Sequence, residues 1–172
     1  ESQVVLFKHN DAKDLKEKIA CSPRKKSSRL IIAIEGVYSM EGDIAPEEIF
    51  HIADEFKALL LVDEAHSSGV IGDNLMGIFD YYNITPKENH VKMGTLGKAY
   101  GSYGAYILAS NEIIDFLSNR AKSIIYTTAP SLFDTALGFE SLSYIITNTS
   151  SIKQKIKNHL KIIEEELGIH SQ

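Results

Sequence analysis

The sequence has few of the residues that mark several large classes of protein. Cys21 is the single cysteine among 172 residues, so the chain forms neither an internal disulfide framework nor a cysteine-rich zinc site. No apolar run approaches the roughly 20 residues that span a bilayer, and no charged start leads into a hydrophobic signal segment. These absences predict no membrane segment, and the cysteine content fits a reducing cytoplasm.

Positive charge is also scarce. The net charge is -5, and the 18 lysines and arginines are scattered apart from the cluster Arg24, Lys25 and Lys26. No basic face for nucleic acid is therefore expected. Hydrophobic residues make up 44% of the chain, which is enough for one sizeable core and predicts one domain.

Short apolar runs alternate with helical patterns along the chain. Strands are predicted at residues 3–7, 30–34, 59–62, 91–94, 105–109 and 123–127. Helices are predicted at residues 11–20, 46–57, 113–120 and 131–146, with a last one that includes residues 152–163. The continuous apolar runs at 30–34 and 59–62 are typical of strands buried on both faces of a parallel sheet. The order predicts an α/β fold with a mostly parallel sheet.

Two polar residues, Asp63 and His66, directly follow the strand predicted at 59–62. Ligands in parallel sheets bind at the carboxyl ends of the strands, so both side chains are candidates for a site. The pair alone favours a structural role, because an Asp after a strand often caps a helix and a His often belongs to the core.

A second candidate segment, Thr95-Leu96-Gly97-Lys98, follows the strand predicted at 91–94. A Walker-type phosphate loop is disfavoured, because Ala99 follows the lysine and Lys92 stands where the first glycine would fall. The glycines that follow do not have the spacing of a dinucleotide-binding loop. A structural turn remains an alternative for this segment.

Asp63, His66 and Lys98 together match the chemistry that pyridoxal 5'-phosphate requires. A lysine amine forms a Schiff base with the cofactor aldehyde. A carboxylate facing the pyridine nitrogen keeps it protonated, so the ring accepts electrons from a substrate carbanion. A donor such as His66 can stabilise the phenolic oxygen, while threonine hydroxyls and backbone N–H groups can hold the phosphate.

Three motifs in order strengthen this interpretation. They are EGVYSMEGD at residues 35–43, VDEAHSSGVIG at residues 62–72 and GTLGK at residues 94–98. The chain resembles the α-oxoamine synthase family in these motifs, and the resemblance extends from FKHND at residues 7–11 to IYTTAP at residues 125–130 and beyond. It therefore covers nearly the whole chain.

The resemblance implies the large domain of pyridoxal-phosphate fold type I, which is aspartate aminotransferase-like, with a three-layer and mostly parallel sheet. It also implies a homodimer whose subunits share the active sites. Lys98 would be the Schiff-base lysine, Asp63 the partner of the pyridine nitrogen and His66 a donor to the phenolic oxygen. The resemblance implies further cofactor contacts and no metal site. Ser39 would contact the phenolic oxygen, Thr95 the phosphate, and Glu35 would be the active-site acid. Thr127 and Thr128 would contact the phosphate bound in the other subunit. Glu35 could instead cap a turn, and the two adjacent threonines also suit a strand.

The implied reaction joins an amino acid to an acyl thioester with loss of carbon dioxide. The wording of the second motif is most like that of members that use L-alanine and a pimeloyl group carried on coenzyme A or acyl carrier protein. Members that use glycine or serine with other thioesters remain alternatives: glycine C-acetyltransferase, 5-aminolevulinate synthase and serine palmitoyltransferase. A non-catalytic scaffold relative is less consistent with the sequence, because Lys98 is present. A nucleotide-binding α/β domain is the remotest alternative.

The resemblance also implies how the chain divides. Residues 1–167 would be part of the large cofactor-binding domain, and residues 168–172 would begin a small C-terminal domain that is otherwise absent. The family's N-terminal segment, with its ring-stacking histidine and phosphate loop, would also be absent. His9 does not fit the ring-stacking role.

Overall fold

The structure of the protein, a computed structural model, describes residues 3–23 and 28–168. Two features predicted from the sequence lie outside the described residues. They are the basic cluster Arg24, Lys25 and Lys26, and residues 169–172 of the predicted start of a second domain.

The strands form one four-stranded sheet in the order β1-β2-β3-β4. They are β1 (Ile31–Glu35), β2 (Leu59–Asp63), β3 (His90–Thr95) and β4 (Ala105–Leu108). The first three strands are parallel, and β4 is antiparallel to β3. The prediction of a mostly parallel sheet in an α/β fold is confirmed.

The described ranges also contain six helices. They are α1 (Ala12–Cys21), α2 (Glu48–Glu55), α3 (Ile78–Tyr81), α4 (Asn111–Arg120), α5 (Lys122–Ile125) and α6 (Leu132–Leu167). None of them is both long and apolar enough to cross a membrane.

The helix ends follow local side-chain chemistry. Asp11 caps α1 by accepting the N–H of Asp14, and Ser131 caps α6 by accepting the N–H of Asp134. Each cap satisfies a backbone donor that the first helical turn leaves without a partner. Gly168 ends α6 with a φ of 63°, a left-handed conformation that glycine adopts without steric cost.

The main core lies on one face of the sheet. Ile32 and Ile34 of β1 and Leu60 and Val62 of β2 point to this face, where they pack with the apolar sides of α1 and α2. Ile49 of α2 is fully buried there, and burying a side chain of this size contributes about 1.5–3 kcal/mol. The alternate strand residues point to the other face, where Ile31 is 60% and Leu61 is 37% exposed. The prediction that these strands are buried on both faces is therefore wrong for the described chain.

Two further predictions of secondary structure need correction. Residues 3–7 are not a strand, because no described strand pairs with them. Residues 123–127 were predicted as a strand from their β-branched composition, but α5 occupies most of this segment. The two helices predicted at 131–146 and 152–163 are confirmed as the two parts of α6, which is kinked between them at Asn148, where a φ of -112° and a ψ of 16° are not helical.

Candidate active site

Three predicted site residues lie at the carboxyl ends of neighbouring strands. Glu35 of β1 pairs with Asp63 of β2, and Asp63 pairs with Met93 of β3. Thr95 lies two residues beyond Met93, so it points to the same face of the sheet as the two acids. This face is opposite to the buried face that carries Val62. Strand register thus places three polar side chains together where ligands of parallel sheets usually bind.

Asp63 is held in place by the turn that follows it. Its Oδ1 atom accepts the backbone N–H of Ala65 at 2.8 Å, a short-range bond typical of Asp after a strand. The carbonyl of Glu64 then accepts the N–H groups of Ser67 and Ser68, at 3.2 and 3.0 Å. The turn brings His66 back over the end of the sheet.

Lys98 and His66 meet, although 32 positions separate them in the sequence. The Nζ atom of Lys98 lies 2.6 Å from Nε2 of His66. The amine of Lys98 can donate to Nε2 when the imidazole carries its proton on Nδ1. The lysine is exposed at the tip of its loop, while the histidine is half-buried. The contact holds a primary amine and an imidazole at one edge of the sheet.

The loop that carries Lys98 is closed by Thr95 and by glycines. The hydroxyl of Thr95 accepts the N–H of Gly97 at 3.1 Å and donates to the carbonyl of Gly104 at 3.2 Å. The N–H of Gly101 binds the carbonyl of Lys98 at 2.9 Å, and the φ of Gly101 is 58°. Such a φ favours glycine, which explains why a glycine follows the lysine by three residues. Thr95 therefore shapes this loop, and its predicted contact with the phosphate stays a prediction.

Ser39 lies in the turn that follows β1. Its backbone N–H donates to Oε2 of Glu35 at 3.2 Å, and its side chain is exposed. The structure thus brings Glu35 and Ser39 together and places Glu35 beside Asp63.

Among the described residues, Thr127 and Thr128 form no hydrogen bond with the other predicted site residues. Both are exposed in the segment after α5, and the hydroxyl of Thr127 contacts only the carbonyl of Thr128, at 3.5 Å, among described residues. Their predicted contact with the cofactor of another subunit stays a prediction.

A buried ion pair lies beneath the site and was missed in the sequence. The carboxylate of Glu64 is fully buried and accepts the N–H of Ile78 at 3.1 and 2.9 Å and the hydroxyl of Ser67. The Nζ atom of Lys92 lies 3.3 Å from Oε1 of Glu64 and also donates to the carbonyl of Met76. Strand alternation could have indicated an inward Lys92 but not its partner, since Lys92 lies beside the inward Val62 only through the register of β2 and β3. A cation there requires a buried acid as its partner.

A second buried contact joins the loops of the two central site residues. The hydroxyl of Tyr106 in β4 donates to the hydroxyl of Ser68 at 3.0 Å, and its ring packs edge-on against Tyr100. Burial, reinforced by Tyr106, raises the pKa of Tyr100 to about 12, so this phenol stays neutral at physiological pH. Ser68 follows His66 closely and Tyr100 follows Lys98 closely, so the contact ties both turns to the same strand.

A cavity of about 700 Å³ lies elsewhere, between α3, the loop before β3 and the end of β4. Phe79, His90 and Lys92 contribute to its lining, and none of the predicted site residues does. The chemistry of the side chains at the strand ends, rather than cavity size, therefore identifies the candidate site.

A family model supplies the decisive comparison. The model described as aminotransferase class I and II matches residues 1–170. The chain belongs to the aminotransferase class I and II family. Family membership agrees with the mixed sheet described above and confirms the predicted fold class.

Within the aminotransferase class I and II family, the chain is similar to a protein of Helicobacter pylori named 8-amino-7-oxononanoate synthase. The two are 50% identical over 171 residues, which are 99% of this chain and 45% of the relative. The predicted resemblance to α-oxoamine synthases is thereby confirmed. The chain spans less than half the length of the curated relatives it matches.

Solved structures of similar fold agree with this result. A structure of SPT with a PLP internal aldimine matches with a TM-score of 0.78 and 28% identity, covering 88% of this chain and 38% of that one. The 8-amino-7-oxononanoate synthase of Francisella tularensis matches with a TM-score of 0.69 and 27% identity, covering 92% of this chain and 46% of that one.

Proposed function

We propose that this chain belongs to an enzyme that uses pyridoxal 5'-phosphate to join L-alanine to a pimeloyl thioester, carried on coenzyme A or acyl carrier protein. The product would be 8-amino-7-oxononanoate, an intermediate of biotin synthesis, formed with loss of carbon dioxide and the thiol, and we place the reaction in the cytoplasm. The observation that carries the proposal is the 50% identity to the Helicobacter pylori relative, because the matched region covers 99% of this chain and hence all three motifs.

The donor set at the strand ends fits this cofactor. An amine, an imidazole and a carboxylate lie on adjacent turns of one sheet edge, and Asp63 uses one of its two oxygens for the N–H of Ala65. Among the described residues, no hydrogen bond occupies Oδ2 of Asp63, so it can face a protonated pyridine nitrogen. Pyridoxal phosphate, when bound, supplies an electron-withdrawing ring that stabilises negative charge on the α-carbon of the substrate.

Lys98 has two tasks in this proposal. Its exposed amine would hold the cofactor covalently through the cofactor aldehyde. When free, the amine would take the α-proton of the substrate and return a proton to the product. The contact with His66 supports both tasks, because Nε2 of the imidazole can accept a hydrogen bond from the amine of Lys98 and orient that amine.

The other predicted residues would bind the cofactor or position the residues that bind it. Asp63 would hold the pyridine nitrogen of the cofactor and keep it protonated through its charge and a hydrogen bond. His66 and Ser39 would donate hydrogen bonds to the phenolic oxygen, and Glu35 orients the Ser39 backbone. Thr95 fixes the Lys98 loop and would bind the phosphate.

A second candidate function is that of serine palmitoyltransferase. Structures named SPT match with TM-scores up to 0.82, above the 0.69 of the 8-amino-7-oxononanoate synthase structure. Their sequence identity of 27–28% is far below the 50% of the Helicobacter pylori relative. Backbone similarity reports the shared fold, whereas side-chain identity reports the site, so alanine and pimeloyl thioester are the favoured substrates.

A substrate panel tests this assignment. The full-length protein would be assayed with alanine, glycine and serine, each against pimeloyl, acetyl, succinyl and palmitoyl thioesters. We expect the highest kcat/KM for alanine with the pimeloyl thioester. Glycine should be disfavoured by about 10–200-fold, the usual discrimination for one missing carbon. A preference for serine with palmitoyl thioester would instead establish the second candidate.

We further propose that the protein acts as a homodimer with shared active sites. The segment around Thr127 and Thr128 supports this, because its apolar side chains are exposed: Tyr126 is 82%, Leu132 is 88% and Phe133 is 75% exposed. Contiguous exposed apolar side chains mark protein contacts. The surface made by Ile124 to Phe133 would then meet a second copy and carry both threonines toward the phosphate of its site.

Charge placed on this surface should separate the subunits. Changing Leu132 and Phe133 together to Glu in the full-length protein should convert the dimer to a monomer in sedimentation velocity, because two carboxylates would be buried without partners. The matched control changes Leu160, at the other end of α6 and 46% exposed, to Glu and should remain dimeric. A double variant that sediments as a dimer would show that another surface joins the subunits.

A further inference from the structure

The turn that carries Ser39 is closed by backbone bonds between its two ends. The N–H of Tyr38 binds the carbonyl of Asp43 at 2.9 Å, and the N–H of Gly42 binds the carbonyl of Tyr38 at 2.8 Å. Ser39 is exposed, and the hydrogen bond from its N–H to Glu35 is the additional restraint on its own backbone. The position of Ser39 therefore depends on how Tyr38 and Asp43 are held.

Asp43 is held by the segment before α1. The Nε2 atom of His9 lies 3.0 and 2.8 Å from the two carboxylate oxygens, and the amide of Asn10 donates to one of them at 2.7 Å. Slight burial raises the pKa of Asp43, but the hydrogen bonds from His9 and Asn10 outweigh it and lower the pKa overall. Asp43 is thus kept as an anion. It connects its own turn to His9 and Asn10, which lie 34 and 33 positions earlier in the sequence.

His9 also contacts the other end of the turn. Its ring packs edge-on against the ring of Tyr38, with the centroids 4.5 Å apart. A single side chain therefore contacts both Tyr38 and Asp43, the residues whose backbone bond closes the turn.

The segment that presents His9 is itself well anchored. Asn10 has a φ of 51°, a left-handed conformation that asparagine tolerates better than most residues, and its amide also donates to the carbonyl of Ile44 at 3.2 Å. The cap formed by Asp11 then starts α1, whose Leu15 and Ile19 are buried in the core. His9 and Asn10 thus connect the Ser39 turn to a packed helix.

We infer that His9 and Asp43 are positioning residues that hold Ser39 at the cofactor site through the closed turn of residues 38–43. The inference rests on the proposed function, since it assigns to Ser39 a contact with the cofactor. It gives a role to the FKHND segment, which the predicted cofactor contacts do not use.

The test measures binding of pyridoxal phosphate to the full-length apo protein by its visible absorbance. Changing His9 to Ala should raise the Kd about threefold, within the range of the coupling energies measured for exposed pairs. It should also shift the pH midpoint of the cofactor spectrum in the same direction as Ser39→Ala. In the Ser39→Ala background, His9→Ala should have no further effect on either quantity. His9→Gln retains an N–H donor for Asp43 and should restore binding close to that of the unmodified protein.

A matched control is available in α2. His51 lies 3.9 Å from Glu47 in another exposed His–acid pair, and His51→Ala should leave the Kd and the spectrum unchanged. If the unmodified protein shows no cofactor band, the proposed function fails and the inference fails with it. If that band forms and His9→Ala leaves it unchanged, only the inference is overturned. An effect of His9→Ala that persists in the Ser39→Ala background would also overturn it, because His9 would then act on general stability.

Discussion

Replacing Lys98 by alanine is expected to abolish the covalent attachment of pyridoxal phosphate and the synthase activity of the full-length protein. The amine at this position lies 2.6 Å from His66 and is exposed at the tip of its loop. No other amine of the described site can replace it, because the Nζ atom of Lys92 forms an ion pair with Glu64 and donates a hydrogen bond to the carbonyl of Met76 on the buried face of the sheet. Loss of the base alone typically costs about 10²–10⁴-fold in rate, and loss of the covalent attachment adds to this.

Borohydride reduction followed by mass spectrometry measures the attachment. The unmodified protein should carry the reduced cofactor on the peptide that contains Lys98, and Lys98→Ala should carry none. Lys98→Arg is an informative second variant, because a guanidinium can still donate to His66 but cannot lose its proton to act as the amine base. It should be as inactive as Lys98→Ala, whereas Lys13→Ala on the exposed side of α1 should behave as the unmodified protein. A reduced linkage that survives in Lys98→Ala would assign the cofactor to another lysine.

The positions of Asp63, His66 and Lys98 could be expected from the sequence because each lies within four residues of the end of a predicted strand. Strand ends in a parallel sheet lie at one edge, so residues one strand apart in the chain become neighbours. The contact of Lys98 with His66 is the direct result of that arrangement. Their assigned roles depended on the motifs, since a strand-end Asp and a Gly-Lys turn are common in other contexts.

Other features depended on contacts that no local pattern reports. Residues 123–127 have the β-branched composition of a strand, yet no neighbouring strand pairs with them and the backbone forms the short α5 instead. Hydrogen-bond pairing, rather than propensity, decides whether such a segment is a strand. Likewise, the apolar run at 30–34 indicates burial but cannot indicate which faces are covered, and Ile31 is exposed in the described chain.

The buried ion pair of Glu64 and Lys92 could not be predicted from the sequence for a related reason. Glu64 lies in the motif at residues 62–72, in which Asp63 and His66 are the candidate site residues. Lys92 is a charged residue in an otherwise uncharged predicted strand. Only the register between β2 and β3 shows that the two lie together. The consequence is that the Asp63 turn is stabilised from inside the core by a charge pair, in addition to its backbone bonds.

Removing the carboxylate of the Glu64–Lys92 pair should strongly lower the free energy of unfolding. Glu64→Ala would leave the Lys92 ammonium, only 15% exposed, without its carboxylate, and would leave the Ile78 N–H and the Ser67 hydroxyl without an acceptor. Breaking a buried pair in this way costs about 3–5 kcal/mol of the free energy of unfolding. Thermal unfolding of the full-length protein should show a Tm lower by on the order of 10 °C. Glu55→Ala, which breaks the exposed pair with Lys16, should cost less than about 1 kcal/mol.

Two further variants separate charge from shape at Glu64. Glu64→Gln retains an acceptor for the Ile78 N–H and should fall between the unmodified protein and Glu64→Ala. The double change Glu64→Leu with Lys92→Met removes both charges and should recover much of the stability lost in Glu64→Ala, as apolar replacements of buried pairs often do. Cofactor binding should not recover with it, because the Ser67 hydroxyl beside His66 still lacks its acceptor. Equal Tm values for Glu64→Ala and Glu55→Ala would mean that the Glu64–Lys92 pair contributes no more than a surface contact.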